Sequence, residues 1–425
     1  MATLSCWIVG FSMMDAGVAY GIAAPQPAPD PAGHPEQDVM AQLQDYLSAN
    51  PEDRADLSER SFGTQPLNKQ QAVEATRLLV EHHHRWIAEN RGEEHTTRLL
   101  TWGDLKMPYD VRVFGERPES GHSLYISMHG GGGAPRRIND QQWENQKRLY
   151  SLEEGVYVAP RAPTDTWNMW HQAHIDAFFT RLIENMIVFE GIDPDRVYLT
   201  GYSAGGDGVY QLAPRMADRL AAAAMMAGHP NDAKPDGLRN LPFTLHMGEN
   251  DSAYHRNTVA KQWATMLHER NQQDPGGYVH WVEIHADKGH WMDRQDAAGV
   301  RWMAQFRRDL IPERVVWLQD DVVHRRFYWL GIGDQDPIAW QRVEAMRKGN
   351  TIEILHSDPD SLKIYFRDDM LDMDHEITVL WEGEVAFQGK VPRTLAVIQS
   401  TLMDRGDPSA IFTGEVIVPI RTSNR

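Results

Sequence analysis

Between residues 97 and 310 the chain alternates short apolar runs with longer amphipathic ones, and this rhythm constrains its fold more than any other feature. "VRVFG", "SLYISMHGGGG", "GVYVAP", "RVYLTGYSAGG", "AAAAMMAG", "FTLHMG" and "YVHWVEIH" contain runs that read as strands. Between and after them, "DQQWENQKRLYSL", "DAFFTRLIENMIVFEG", "DGVYQLAPRMADRL", "NTVAKQWATMLHERN" and "DAAGVRWMAQFRRDL" read as helices. Strand–helix alternation of this kind builds a mostly parallel sheet covered on both faces, assigned here to residues 97–311. Upstream, residues 36–96 predict a helical segment packed on that body, with Val73, Leu78, Leu79 and Ile87 at mixed helical spacing. Downstream, residues 313–425 predict a small β-sandwich-like domain. Its strands are "TIEILH", "SLKIYFRD", "EITVLWEGEVAFQG" and "AIFTGEVIVPI", with a tight turn at Glu382-Gly383 and one helix at "RTLAVIQSTLMDR". Residues 1–35, containing "APQPAPDPAGHP", predict a disordered lead-in.

Composition narrows the function classes. A net charge of −18 argues against a sequence-blind nucleic-acid binder, whose affinity would come from Lys and Arg on phosphates. The single cysteine, Cys6, excludes an intramolecular disulfide and a cysteine metal site. No uninterrupted apolar stretch is long enough to span a bilayer. The N-terminal apolar run is broken by Asp15 and has no Lys or Arg before Arg54, so it lacks the charged region of a signal peptide. Compartment and oligomeric state stay open, with a cytoplasmic site slightly favoured and a homo-oligomer allowed.

One serine stands out. Ser203 lies in Gly201-Tyr202-Ser203-Ala204-Gly205, after a strand-like run and before a helical one. A nucleophile elbow needs this context, because a serine on a strained turn tolerates only small neighbours. A hydroxyl is a poor nucleophile without a base, usually a histidine oriented by a carboxylate. In an elbow site the acid and then the histidine follow the serine in the chain. Asp251, just past the strand-like "FTLHMG", and His290, on the loop "DKGHWMD", fit that order. Glu249 and Asp287 are rival carboxylates, while His246 and His285 read as packed histidines within or at the ends of strands. The glycine run after "SLYIS" can turn backbone N–H groups toward an oxyanion, with one donor from Gly130 or Gly131 and another from Ala204. It lacks the Gly-Lys-Ser/Thr ending of a phosphate-binding loop.

These residues resemble those of the α/β-hydrolase superfamily, and within it bacterial serine esterases of the polyhydroxybutyrate-depolymerase and phospholipase/carboxylesterase kind. The resemblance rests on His129-Gly130-Gly131-Gly132, Gly201 to Gly206, Gly248 to Asp251 and Gly289-His290-Trp291, and covers roughly residues 97 to 310. It implies an α/β-hydrolase fold and a cofactor-free serine hydrolase acting on small-molecule carboxylic esters. Polymer degradation is not implied, because the additional cysteines and binding modules of such enzymes are missing.

On the same edge, "RAPTDTWNMWHQAHID" offers Trp167, Trp170 and His171 as a substrate wall, with Tyr202 beside the serine, or alternatively as clamps on the body. The histidines at 82–84, 171 and 174 lack the accompanying carboxylates of a metal site, and "DDMLDMDHE" lacks the EF-hand positions, so no metal is expected. Two competing readings remain: a serine peptidase of prolyl-peptidase type, and a non-catalytic binding protein on a hydrolase scaffold.

Overall fold

A computed structural model describes residues 38–50 and 54–420; the expected lead-in over residues 1–35, and the N-terminal run weighed as a signal, lie outside them. Helices α1 (Val39–Ser48) and α2 (Lys69–Thr97) come first. Asn68 and Gln71 cap α2 reciprocally, each side chain accepting the other's backbone N–H at 2.9 and 3.0 Å. The stripe that α2 buries is Ala72, Ala75, Leu79, His83 and Ile87, whereas Val73 is 65% exposed. Alanines rather than the bulkier Val73 face inward because α2 packs closely on α1, α4 and a C-terminal helix.

The main sheet contains β1 (Leu99–Trp102), β2 (Leu105–Phe114), β3 (His122–Met128), β4 (Gly155–Pro160), β5 (Ile192–Tyr202), β6 (Ala222–Met226), β7 (Phe243–Gly248) and β8 (His280–His285). Its order is β1-β2-β4-β3-β5-β6-β7-β8. The first two strands pair antiparallel, and β4 through β8 run parallel with β3 among them. The helices are α3 (Arg136–Gln146), α4 (Ala173–Glu190), α5 (Ala204–Arg215), α6 (Arg256–Gln273) and α7 (Ala297–Met303).

Strand alternation divides the core. Leu124, Ile126, Val197 and Leu199 pack on one face with residues of α4, α5 and α6. Tyr125, Tyr157, Tyr198 and Met226 pack on the other with Val300 and Met303 of α7 and the segment around Leu149. Burial on both faces explains why these strands read as continuous apolar runs. The architecture is α/β, as the rhythm of the sequence predicts.

Helix α7 is shorter than the sequence suggests. After Met303 the chain leaves the helix, and Arg307 and Arg308 reach Asp193 and Asp195 at 2.7 and 2.8 Å.

Beyond this sheet lie β9 (Arg314–Leu318), β10 (Arg326–Phe327), β11 (Leu330–Ile332), β12 (Arg342–Lys348), β13 (Thr351–Ser357), β14 (Ser361–Phe366), β15 (Ile377–Trp381), β16 (Glu384–Gly389), helix α8 (Leu395–Arg405) and β17 (Gly414–Pro419). They form a four-stranded sheet, β10-β11-β14-β17, and a five-stranded one, β16-β15-β13-β12-β9. Glu382 and Gly383, with φ of 51° and 81°, make the tight turn between β15 and β16. Strand β12 eluded the sequence reading because "RVEAMRK" is charged; its Glu344 is buried against Arg314 and Arg342 of the strands that pair there. The buried residues of both sheets join the cluster that packs on α4, α5 and α6, and the described residues from Val39 onward form one compact unit. The acidic stretch around residues 368–376 is engaged internally: Arg393 pairs with Asp368 and Asp374, and Asp372 with His375.

Candidate active site

Ser203 closes β5 and opens α5 with φ 57° and ψ −119°, a conformation costly for any residue with a Cβ. The surroundings hold it there. Its N–H donates to the Met226 carbonyl at 2.9 Å. A Cβ at Gly201 would stand 2.2 Å from the Gly205 carbonyl oxygen, and one at Gly205 2.2 Å from that of Met128. The two flanking glycines are therefore fixed by close backbone approach of β3, β5 and α5.

Asp251 sits on the loop after β7, 2% exposed, its N–H donating to the Gly248 carbonyl at 3.1 Å. His290 sits on the loop after β8. Its Nδ1 lies 2.7 Å from Asp251 Oδ2 and its Nε2 2.9 Å from Ser203 Oγ. Arg256 stands 3.8 Å from the other oxygen of Asp251, keeping positive charge beside that carboxylate. Parallel strands that present their C-terminal ends on one edge bring together residues far apart in the chain.

The rivals lie elsewhere. Glu249 is exposed and accepts the Asp287 N–H at 3.2 Å. His246 and His285 are buried and joined to each other at 3.1 Å, and burial drives the His246 pKa down to about 3. Both imidazoles serve the packing of β7 and β8.

The glycine loop follows β3 and lies against the serine: a Cβ at Gly130 would be 3.1 Å from that of Ser203. Two side chains pin it, His129 of the motif and Asn139, which the sequence reading does not single out. Asn139 of α3 accepts the Gly132 N–H at 3.0 Å and donates to the Gly132 and Ala134 carbonyls and to Asp165. His129 is fully buried, and burial lowers its pKa to about 3, so the ring is neutral. Its Nδ1 donates to the Gly130 carbonyl at 2.6 Å while Nε2 accepts the Ala162 N–H at 3.1 Å. His129 is visible in the motif; Asn139 is a polar helix residue whose partners appear only after folding. Ala204 occupies the first turn of α5, where helical N–H groups have no partner within the helix.

Two cavities flank this loop. One of about 790 Å³ is lined by Gly130, Gly131, Ser203, Tyr202, His290 and Trp291 among others. The second, about 510 Å³, is lined by Trp167, Ala204, Asp207, His229, Tyr254 and Arg256 with the glycine run. Of the proposed wall, Trp167 reaches a cavity, and Tyr202 does so while donating its hydroxyl to the His290 carbonyl at 2.7 Å. Trp170 does not. It is fully buried and its Nε1 donates to the His129 carbonyl at 2.8 Å, because a large indole with one polar atom suits an anchor beneath the loop. His171 lines neither cavity; it packs edge-on against Trp167 with ring centroids 5.3 Å apart.

No family model matches the sequence. The chain is similar to a bifunctional acetylxylan esterase/xylanase of Neocallimastix patriciarum, 28% identical over 173 residues. That match takes in 39% of this chain and 25% of the fungal protein, so the chain spans about a quarter of its relative's length. Among solved structures, a thermostable esterase has a TM-score of 0.37 at 18% identity, covering 49% of this chain and 62% of its own. A carboxylesterase from Mesorhizobium loti has a TM-score of 0.35 at 19% identity, covering 49% of this chain and 99% of its own.

Proposed function

We propose that this chain is a serine hydrolase of carboxylic esters, built on an α/β-hydrolase fold. The observation that carries the reading is the relay Ser203 Oγ–His290 Nε2 at 2.9 Å and His290 Nδ1–Asp251 Oδ2 at 2.7 Å, in the chain order that an elbow site requires. The 28% identity over 173 residues to a bifunctional acetylxylan esterase/xylanase supports a hydrolase that acts on esters.

In this mechanism Ser203 Oγ attacks the ester carbonyl carbon while His290 Nε2 takes its proton. Asp251 holds the ring with Nδ1–H toward itself and stabilises the imidazolium. The carbonyl electrons move to oxygen, and the N–H groups of Ala204 and of Gly130 or Gly131 receive the oxyanion. On collapse the C–O bond to the alcohol breaks, and His290 returns its proton to the leaving oxygen. Water then attacks the acyl-Ser203 ester, His290 again taking the proton, and the acid leaves as Ser203 is restored.

The test is turnover of short p-nitrophenyl esters with labelling by a fluorophosphonate. Ser203→Ala should lower kcat by about 10⁴-fold or more and abolish labelling. Undiminished turnover by that variant would remove the proposal.

A further inference from the structure

The larger cavity has a charge that the rest of the chain does not. The sequence holds 60 acidic and 42 basic residues, yet among the described residues the charged side chains lining this cavity are Arg148 and Arg294, with no carboxylate. Arg148 follows α3, and Arg294 follows the His290 loop; both are exposed. Among the described residues neither guanidinium forms an ion pair, although acidic residues are close by in the chain. Glu144 pairs instead with Lys147 at 2.6 Å, and Asp293 with Lys288 at 2.8 Å. Asp296 is buried with its carboxylate accepting the Tyr150 hydroxyl at 2.5 Å. The smaller cavity differs, since its Arg256 faces Asp251 and its Asp207 adds a carboxylate. Beside the arginines, Leu149 and Trp291 supply apolar wall, and Gln142 and Asn145 supply neutral hydrogen-bonding groups.

Two unpaired guanidiniums in a cavity that shares its wall with Ser203 and His290 attract an anion and bind a carboxylate through paired N–H donors. We infer that the substrate is an ester that carries a free carboxylate, seated at Arg148 and Arg294 while its ester carbonyl lies at Ser203. The position of the ester carbonyl at Ser203 rests on the ester-hydrolase reading, whereas the carboxylate seat rests on the cavity alone.

The test compares monomethyl glutarate, which has one carboxylate, with dimethyl glutarate, which has none. Binding to Ser203→Ala is measured by calorimetry, and kcat/KM of the wild type in a pH-stat. The expected result is a preference of about two- to fivefold for the monomethyl ester in both measurements, the size of one exposed ion pair. In Arg148→Gln/Arg294→Gln the ratio should fall to about one, and 0.5 M NaCl should shrink it in the parent. Equal binding of the two esters, or a preference that survives the double substitution, overturns the inference. Both arginines are exposed, and an unchanged circular dichroism spectrum and Tm identify a folded variant. If the wild type hydrolyses neither ester and takes no fluorophosphonate label, the hydrolase reading falls, while the binding ratio still decides the anion site.

Discussion

Asp251 and Glu249 are two residues apart, and only their surroundings separate them. Asp251 is held at 2% exposure with one oxygen on His290, while Glu249 turns outward to the Asp287 N–H. Asp251→Asn should therefore lower kcat by about 10⁴-fold through the wrong imidazole tautomer, whereas Glu249→Gln should stay near the wild type. Steady-state kinetics on one ester compares them. Asp207, in the first turn of α5, makes a second residue-scale prediction. Burial pushes its pKa up to about 6, against the opposing pull of the His229 N–H and of Arg256. Its folded-state pKa exceeds the unfolded value near 4, so the fold binds more protons and loses stability as pH rises from about 4 to about 6. The Tm of the wild type should accordingly fall relative to Asp207→Asn across that range and run parallel above it. Ser203 and His290 were legible from type and spacing. Chain order does not separate Asp251 from Glu249; its place farther along the loop does, because two carboxylates so close in sequence look alike until the strand end points them apart.

At the scale of elements, the elbow depends on α5 pressing against β3. Gly205→Ala places a Cβ 2.2 Å from the Met128 carbonyl oxygen, a backbone atom that cannot turn aside. We expect a loss of about 1–3 kcal/mol in stability, seen in thermal or urea unfolding, together with reduced turnover as the serine shifts. The strands and helices of the α/β part were readable because apolar runs and amphipathic periods are local signals. Trp170 shows where locality ends: its segment reads as a wall, but the indole is drawn beneath the glycine loop by the His129 carbonyl. Strand β12 shows the complementary case, since its charged residues, with Glu344 paired to Arg314 of β9, hide the apolar alternation.

At the scale of the whole molecule, buried ion pairs tie the α/β part to the C-terminal strands. Arg215 of α5 meets Asp176 of α4 at 2.5 Å and Asp320 at 3.3 Å, and His324 also reaches Asp176 at 3.2 Å. Arg405 of α8 meets Asp218 at 2.7 Å. Removing one member strands a buried charge, so Arg215→Ala should cost about 3–5 kcal/mol and lower the Tm of both parts in one transition. Two separated calorimetric transitions would contradict that coupling.

By itself the sequence determined the strand–helix rhythm, the small residues around Ser203 and the serine–acid–histidine order. The first two follow from neighbours within a few positions, the range over which periodicity and backbone sterics act, and the third is simply the order of residue types along the chain. Tertiary structure alone decided which carboxylate meets the imidazole, which tryptophan is an anchor, how the late strands share the main core, and that two arginines at the cavity form no ion pair among the described residues. Those outcomes depend on distances between residues tens to hundreds of positions apart, and such distances exist only once the chain has closed around its sheet.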